Sequence, residues 1–183
     1  MGFMKSLLSG FFFILVSSIV LAKVRGPESG LYVFAINMMF ILWWGILILW
    51  SRHSEGDQWI KLIMLISALL ALTTMGTIAL FHHDFERVAG IILGFLVFYL
   101  LFTAPLYRAR RIKERRGEQL TYPPNELKYF WPFQWIIIGV LAVKSNEPLR
   151  IFLYLLPGAI GGYLIINGLV QIKREALNVS EGS

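Results

Sequence analysis

The chain has 183 residues, of which 57% are hydrophobic and only 15% charged, with a mean hydropathy of +0.66. That is more apolar surface than a soluble core of this size can absorb. There is no cysteine, which excludes disulfides, thiolate metal centres, iron–sulfur clusters and thiol catalysis. In so apolar a chain the net charge of +6 points to cytoplasmic loops facing anionic lipid and away from nucleic acid.

The first apolar run, Leu7 to Ala22, follows Lys5. Its end, Val20, Leu21 and Ala22, also fits a signal peptide, but an uncleaved helix suits a chain with several further spans. Both alternatives place Lys23 outside. The second run is Leu31 to Trp50, the third Leu62 to Phe81 with Lys61 able to snorkel at its edge, and the fourth Val88 to Tyr107. Each is close to the roughly 20 residues that cross about 30 Å of hydrocarbon at 1.5 Å per residue. Trp50 and Trp59 bracket one loop, while Tyr107, Tyr129, Trp131 and Trp135 cluster near the long basic loop, as interfacial aromatic belts do.

The fifth segment is short, Phe130 to Val143, and Pro132 removes a backbone donor near its start. A helix capped by Asn125 and begun at Glu126 extends it to about 27 Å, enough to cross with a kink. A re-entrant or tilted segment is the alternative. The sixth run, Ile151 to Ile172, follows Pro148, a good first-turn residue. The expected fold is therefore all-α: one polytopic bundle over 1–183 with spans at 7–22, 31–50, 62–81, 88–107, 126–143 and 151–172. Both termini are expected in the cytoplasm, and the basic loop 108–129 is too small to fold alone.

Six spans place Lys5, Arg52, Lys61, Arg108, Arg110, Arg111, Lys113, Arg115, Arg116, Lys128, Lys173 and Arg174 inside. Lys23, Arg25, Arg87, Lys144 and Arg150 fall outside, so the positive-inside bias is clear and comes mainly from the loop after the fourth span.

Few residues carry evident chemistry. His82, His83, Asp84 and Glu86 lie in the outward loop between the third and fourth spans, and imidazole with carboxylate suits zinc, copper or iron. Adjacent helical residues point about 100° apart, however, and acidic residues there also serve as caps for the next helix. His53 lies on the opposite membrane face, which argues against a transmembrane bis-histidine haem, and no cofactor is expected. No ionisable side chain lies deep inside the expected spans. The deep polar residues are neutral: Asn37, Thr73, Thr74, Thr77, Asn167 and Gln171. Thr73 and Thr77 share one helix face, as do Tyr163, Asn167 and Gln171.

Gly90 with Gly94, and Gly158 with Gly162 beside Gly161, form GxxxG pairs that let two helix backbones approach closely, within the bundle or against a partner. Pro157 and Gly158 are expected to kink the sixth helix. Arg108, Arg110, Arg111, Lys113, Arg115 and Arg116 continue the fourth helix into the cytoplasm and suit anionic headgroups, at about 1 kcal/mol per cation. No nucleotide-binding glycine loop, zincin helix, GxSxG or intramembrane protease pair occurs.

The favoured function is a small, non-catalytic accessory, assembly or regulatory membrane protein, placed in a bacterial inner membrane. Its expected partners are membrane lipids, anionic on the cytoplasmic side, and a membrane-protein partner or a second copy. One alternative is a small carrier or channel for a neutral or weakly polar solute, lined by Thr73, Thr77 and Asn167. Another is an enzyme or metal protein built on His82, His83, Asp84 and Glu86.

Overall fold

The computed structural model describes residues 2–49, 56–83, 85–98, 100–101, 104–117 and 147–181. Among these every regular element is a helix: α1 (Gly2–Arg25), α2 (Pro27–Leu49), α3 (Asp57–Phe81), α4 (Phe85–Phe98), α5 (Ala104–Arg115) and α6 (Pro148–Glu181). Four of them, α1, α2, α3 and α6 through Ala176, are long and apolar enough to cross a membrane. They contain the runs expected at 7–22, 31–50, 62–81 and 151–172, save Trp50, which lies outside the described residues.

One residue joins α1 to α2. Gly26 adopts φ +97°, its N–H donates to the Ala22 carbonyl at 3.1 Å, and Pro27 opens the next helix with its φ already helical. The reversal makes α1 and α2 antiparallel, with Gly30 seated on Ser18 and Ala22. α3 returns against α2, pairing Met75 and Ile78 with Ala35 near one end and Met64 with Gly45 near the other.

α6 runs antiparallel to α1 and alongside α2. Ser6 donates to the Leu164 carbonyl at 2.8 Å and Ser17 to the Tyr154 carbonyl at 2.6 Å, so the partners descend on one helix as they ascend on the other. α1 and α6 meet more extensively than any other helix pair. The crossing point is Gly10 on Gly161, where a Cβ on Gly10 would fall 2.6 Å from the Gly161 carbonyl oxygen. Such an approach is open only to glycine. The main core lies where α1, α2, α3 and α6 converge, around Ile14, Met38, Ile41, Ile60, Ile165 and Leu169. The two ends of the bundle are named below for the residues at them, the Gly26 end and the Gly56 end.

α4 is peripheral. It runs alongside α2, with Val88 against the Ala35 cluster and Phe95 edge-on to Phe40 at 5.2 Å between ring centroids. The fourth span, expected as one helix over 88–107 continuing into the basic run, is divided instead. α4 ends at Phe98, Leu100 and Leu101 lie in a wider π turn, and α5 begins at Ala104. Pro105 supplies the reason: it has no N–H to donate, its ring clashes with the carbonyl four residues back, and it disfavours helical geometry at Ala104.

Pro157 behaves differently, because α6 continues through it without a break. The missing N–H strands the Leu153 carbonyl, and at the next carbonyl, Tyr154, the Ser17 hydroxyl of α1 provides a donor from a neighbouring helix. The segment expected as the fifth span, 126–143, lies outside the described residues.

Candidate functional site

At the Gly56 end the first turn of α3 is pressed against α6. A Cβ on Gly56 would come within 3.0 Å of both the Ile172 carbonyl oxygen and the Ala176 Cβ. That contact brings Asp57, the first residue of α3, to Lys173 of α6, whose Nζ donates to Asp57 Oδ1. The two side chains are 3% and 0% exposed. Asp57 also occupies a helix N-terminus, where the aligned peptide dipoles favour a carboxylate. Two charges removed from water need one another, since losing either leaves an uncompensated ion in an apolar bundle. By sequence Lys173 counts only among the cations of the cytoplasmic side, and Asp57 has no assigned role. Antiparallel α1 and α6 with α3 alongside would have put them at the same end, but no local pattern marks the pair.

At the Gly26 end His82 closes α3: its N–H donates to the Ile78 carbonyl at 3.0 Å. Its ring Nδ1 lies 2.9 Å from Oε1 of Glu28, in the first turn of α2. His83 follows at φ +54°, a left-handed conformation that histidine adopts more readily than most residues. His83 and Glu86 are exposed, and Asp84 lies outside the described residues. The structure thus joins His82 to Glu28 across two helices. Among the described residues no group of three histidine or carboxylate side chains is placed to hold a metal ion.

The two GxxxG pairs have opposite surroundings. Gly158 faces into the bundle, where a Cβ would lie 3.1 Å from Ser17 Oγ and 3.3 Å from Asn37 Nδ2, and Gly162 is buried as well. Gly90 and Gly94 are exposed on α4, and a Cβ on either would meet nothing within 4 Å. Around them Ile92, Leu93, Leu96 and Val97 are exposed too.

The neutral polar residues do not converge. Thr73 and Thr77 are exposed on α3 and donate to carbonyls of their own helix, Thr73 to Leu69 at 2.8 Å and Thr77 to Thr73 at 2.9 Å. Thr74, partly buried, donates to Leu70, and the Asn37 amide to Val33 at 2.8 Å. Measured from the Asp57–Lys173 pair, Thr73 lies roughly 24 Å up α3 while Asn167 lies roughly 9 Å up α6. Thr73, Thr77 and Asn167 therefore sit at different depths.

Of the basic run, Arg108, Arg111, Lys113, Arg115 and Arg116 are exposed on or just after α5. Arg110 belongs to the same helix, its side chain outside the described residues.

Two clefts are lined by described residues. The smaller, about 190 Å³, is apolar apart from Ser67 and lies where α1, α2, α3 and α6 meet beside Phe11, Met38 and Leu70. The larger, about 450 Å³, opens at the Gly26 end between α1, α2, α4 and α6, with Arg87, Ser29 and Tyr32 at the end nearest the helix termini.

No known protein family matches the chain, and no curated protein and no solved structure matches it either.

Proposed function

We propose that the chain is a non-catalytic accessory or assembly component of a bacterial inner membrane, working through helix–helix contacts at α4 and lipid contacts at α5. The observation that carries this is the contrast between the glycine pairs: Gly158 packs inside the bundle, while Gly90 and Gly94 present open space on a peripheral helix. In a bilayer, where hydrophobic burial gives no drive for helices to associate, close backbone approach is what a small-residue face offers. The exposed leucines and valine around Gly94 provide the shoulders of such a contact.

In this proposal the chain crosses six times, with the Gly56 end cytoplasmic. Support comes from the cations of α5 and from Lys5, Arg52 and Lys61, all assigned to that side. α4 and the first turn of α5 make the fourth crossing, so the cations that follow meet the anionic surface at about 1 kcal/mol each.

The absence of cysteine makes the test direct, because Leu93→Cys introduces a unique crosslinking handle beside the glycines. In native membranes this variant is expected to crosslink to a partner membrane helix, or to a second copy of itself. Adding Gly94→Leu should lower the yield several-fold while insertion stays unchanged. Gly158→Leu, in contrast, should destabilise the bundle itself. An undiminished yield in the Gly94→Leu background would overturn the proposal.

A further inference from the structure

α1 and α3 each pack on α2 but scarcely on one another, and the cleft of about 190 Å³ is the gap they leave. Met38 of α2 and Ile165 of α6 floor it, Phe11 and Leu70 stand on its two sides, and Leu8 and Ile66, both exposed, flank its opening to the lipid. Ser67 is the one polar residue among the described residues that line it. It lies roughly 15 Å along α3 from Asp57, near the middle of the helix and so of the bilayer.

The Ser67 hydroxyl is unlike its neighbours. Ser18, Thr73, Thr74 and Thr77 return their hydroxyls to carbonyls three or four residues back on their own helices. Ser67 is only 4% exposed, yet its hydroxyl has no hydrogen-bond partner among the described residues. A buried hydroxyl left unpaired in an apolar setting costs free energy that a suitable ligand atom recovers. Water is a poor occupant, because a buried water needs about two to four polar neighbours and this cleft offers one polar side chain.

The volume sets the size of the ligand. Dry apolar cavities of about 150 Å³ take up benzene. At about 190 Å³ the cleft holds one substituted ring and is too small for a phospholipid. No ionisable side chain lines it, so a charged ligand would be unpaired there. We propose that the cleft binds an uncharged, membrane-dissolved molecule of one ring and one oxygen, an alkylphenol being the simplest, which enters from the lipid between Leu8 and Ile66 and hydrogen-bonds to Ser67. One oxygen matches one hydroxyl, whereas a second polar group on the ring would be left unsatisfied. The site rests on the bilayer setting and not on any partner helix at Gly94.

The test uses the full chain in phosphatidylcholine vesicles with an alkylphenol that carries a photoactivatable diazirine on its alkyl chain. The same compound without the hydroxyl serves as reference. Labelled peptides are expected to contain Phe11, Met38 or Leu70, with the phenol favoured roughly fivefold, as one neutral hydrogen bond provides. Ser67→Ala should bring that ratio close to one without lowering the melting temperature of the ligand-free protein, because the hydroxyl removed had no partner. Ser67→Leu, whose larger side chain occupies the cleft, should suppress labelling by both compounds. Equal labelling of the cleft by the two compounds would mean that it admits any apolar chain, and would overturn the proposal. A preference unchanged by Ser67→Ala, or labelling confined to the outer faces of the helices, would overturn it as well. Gly94→Leu leaves the labelling unchanged, so failure of the association proposal and failure of this one give separate results.

Discussion

Lys173 closes an apolar run, the position in which a lysine normally extends to the headgroups, yet its ammonium turns inward to Asp57. The two residues are 116 positions apart, in segments that look like ordinary loop ends, so nothing in the sequence announces the pair. Polar contacts within one turn are more legible, because Thr73, Thr74 and Thr77 return their hydroxyls to carbonyls three or four residues back, as such residues do in helices. The buried pair makes a strong prediction. Asp57→Leu and Lys173→Met should each destabilise the protein by about 3–5 kcal/mol, because each strands a buried charge. The double variant should lie well above either single one in stability, giving a large coupling energy in a double-mutant cycle. Thermal or denaturant unfolding in detergent measures all four proteins; additive losses would mean that the two charges are solvated independently.

The two internal prolines show how far an element can be judged from its own residues. Pro105, in the first turn of α5, stands where the expected fourth span is no longer one α-helix, since it has no N–H to donate and its ring crowds the preceding turn. At Pro157, by contrast, α6 runs on whole where it packs along α1, with the Ser17 hydroxyl donating to the Tyr154 carbonyl, one residue beyond the carbonyl that the proline leaves. Apolar run length revealed the helices, but it did not distinguish the proline inside α6 from the one at the start of α5. The glycines repeat the lesson. Gly158 and Gly162 are visible as a pair, whereas the closest approach of α6 to α1 is at Gly161, and its counterpart Gly10 belongs to no motif. Gly161→Leu should therefore cost about 1–3 kcal/mol or more through overpacking at the Gly10 carbonyl, read as a lowered melting temperature. Gly94→Leu should leave the melting temperature unchanged. Equal behaviour of the two would mean that the α1–α6 crossing is looser than it is drawn.

For the whole molecule, hydropathy located the four long spans, and the segment expected as the fifth, 126–143, lies outside the described residues. Helix directions follow from packing: α4 sets out from the Gly26 end, and α6 sets out from the same end. Six crossings then require Arg116, just past α5, and Glu147, just before α6, to lie on opposite sides of the membrane. Single Arg116→Cys and Glu147→Cys variants, treated with an impermeant maleimide in right-side-out and inverted vesicles, should label in opposite preparations. Labelling of both in one preparation would reduce the number of crossings and return α5 to the other face. The α1–α6 interface has a further consequence, for biosynthesis. Ser17 and its acceptor at Tyr154 are 137 residues apart, so at usual translation rates α1 is made on the order of 10 s before its main partner. During that interval its serines and the Gly10 groove face lipid or the insertion machinery. A ribosome that stalls before Pro148 releases a chain whose most extensive seam is still open, and such a seam is a ready signal for membrane quality control.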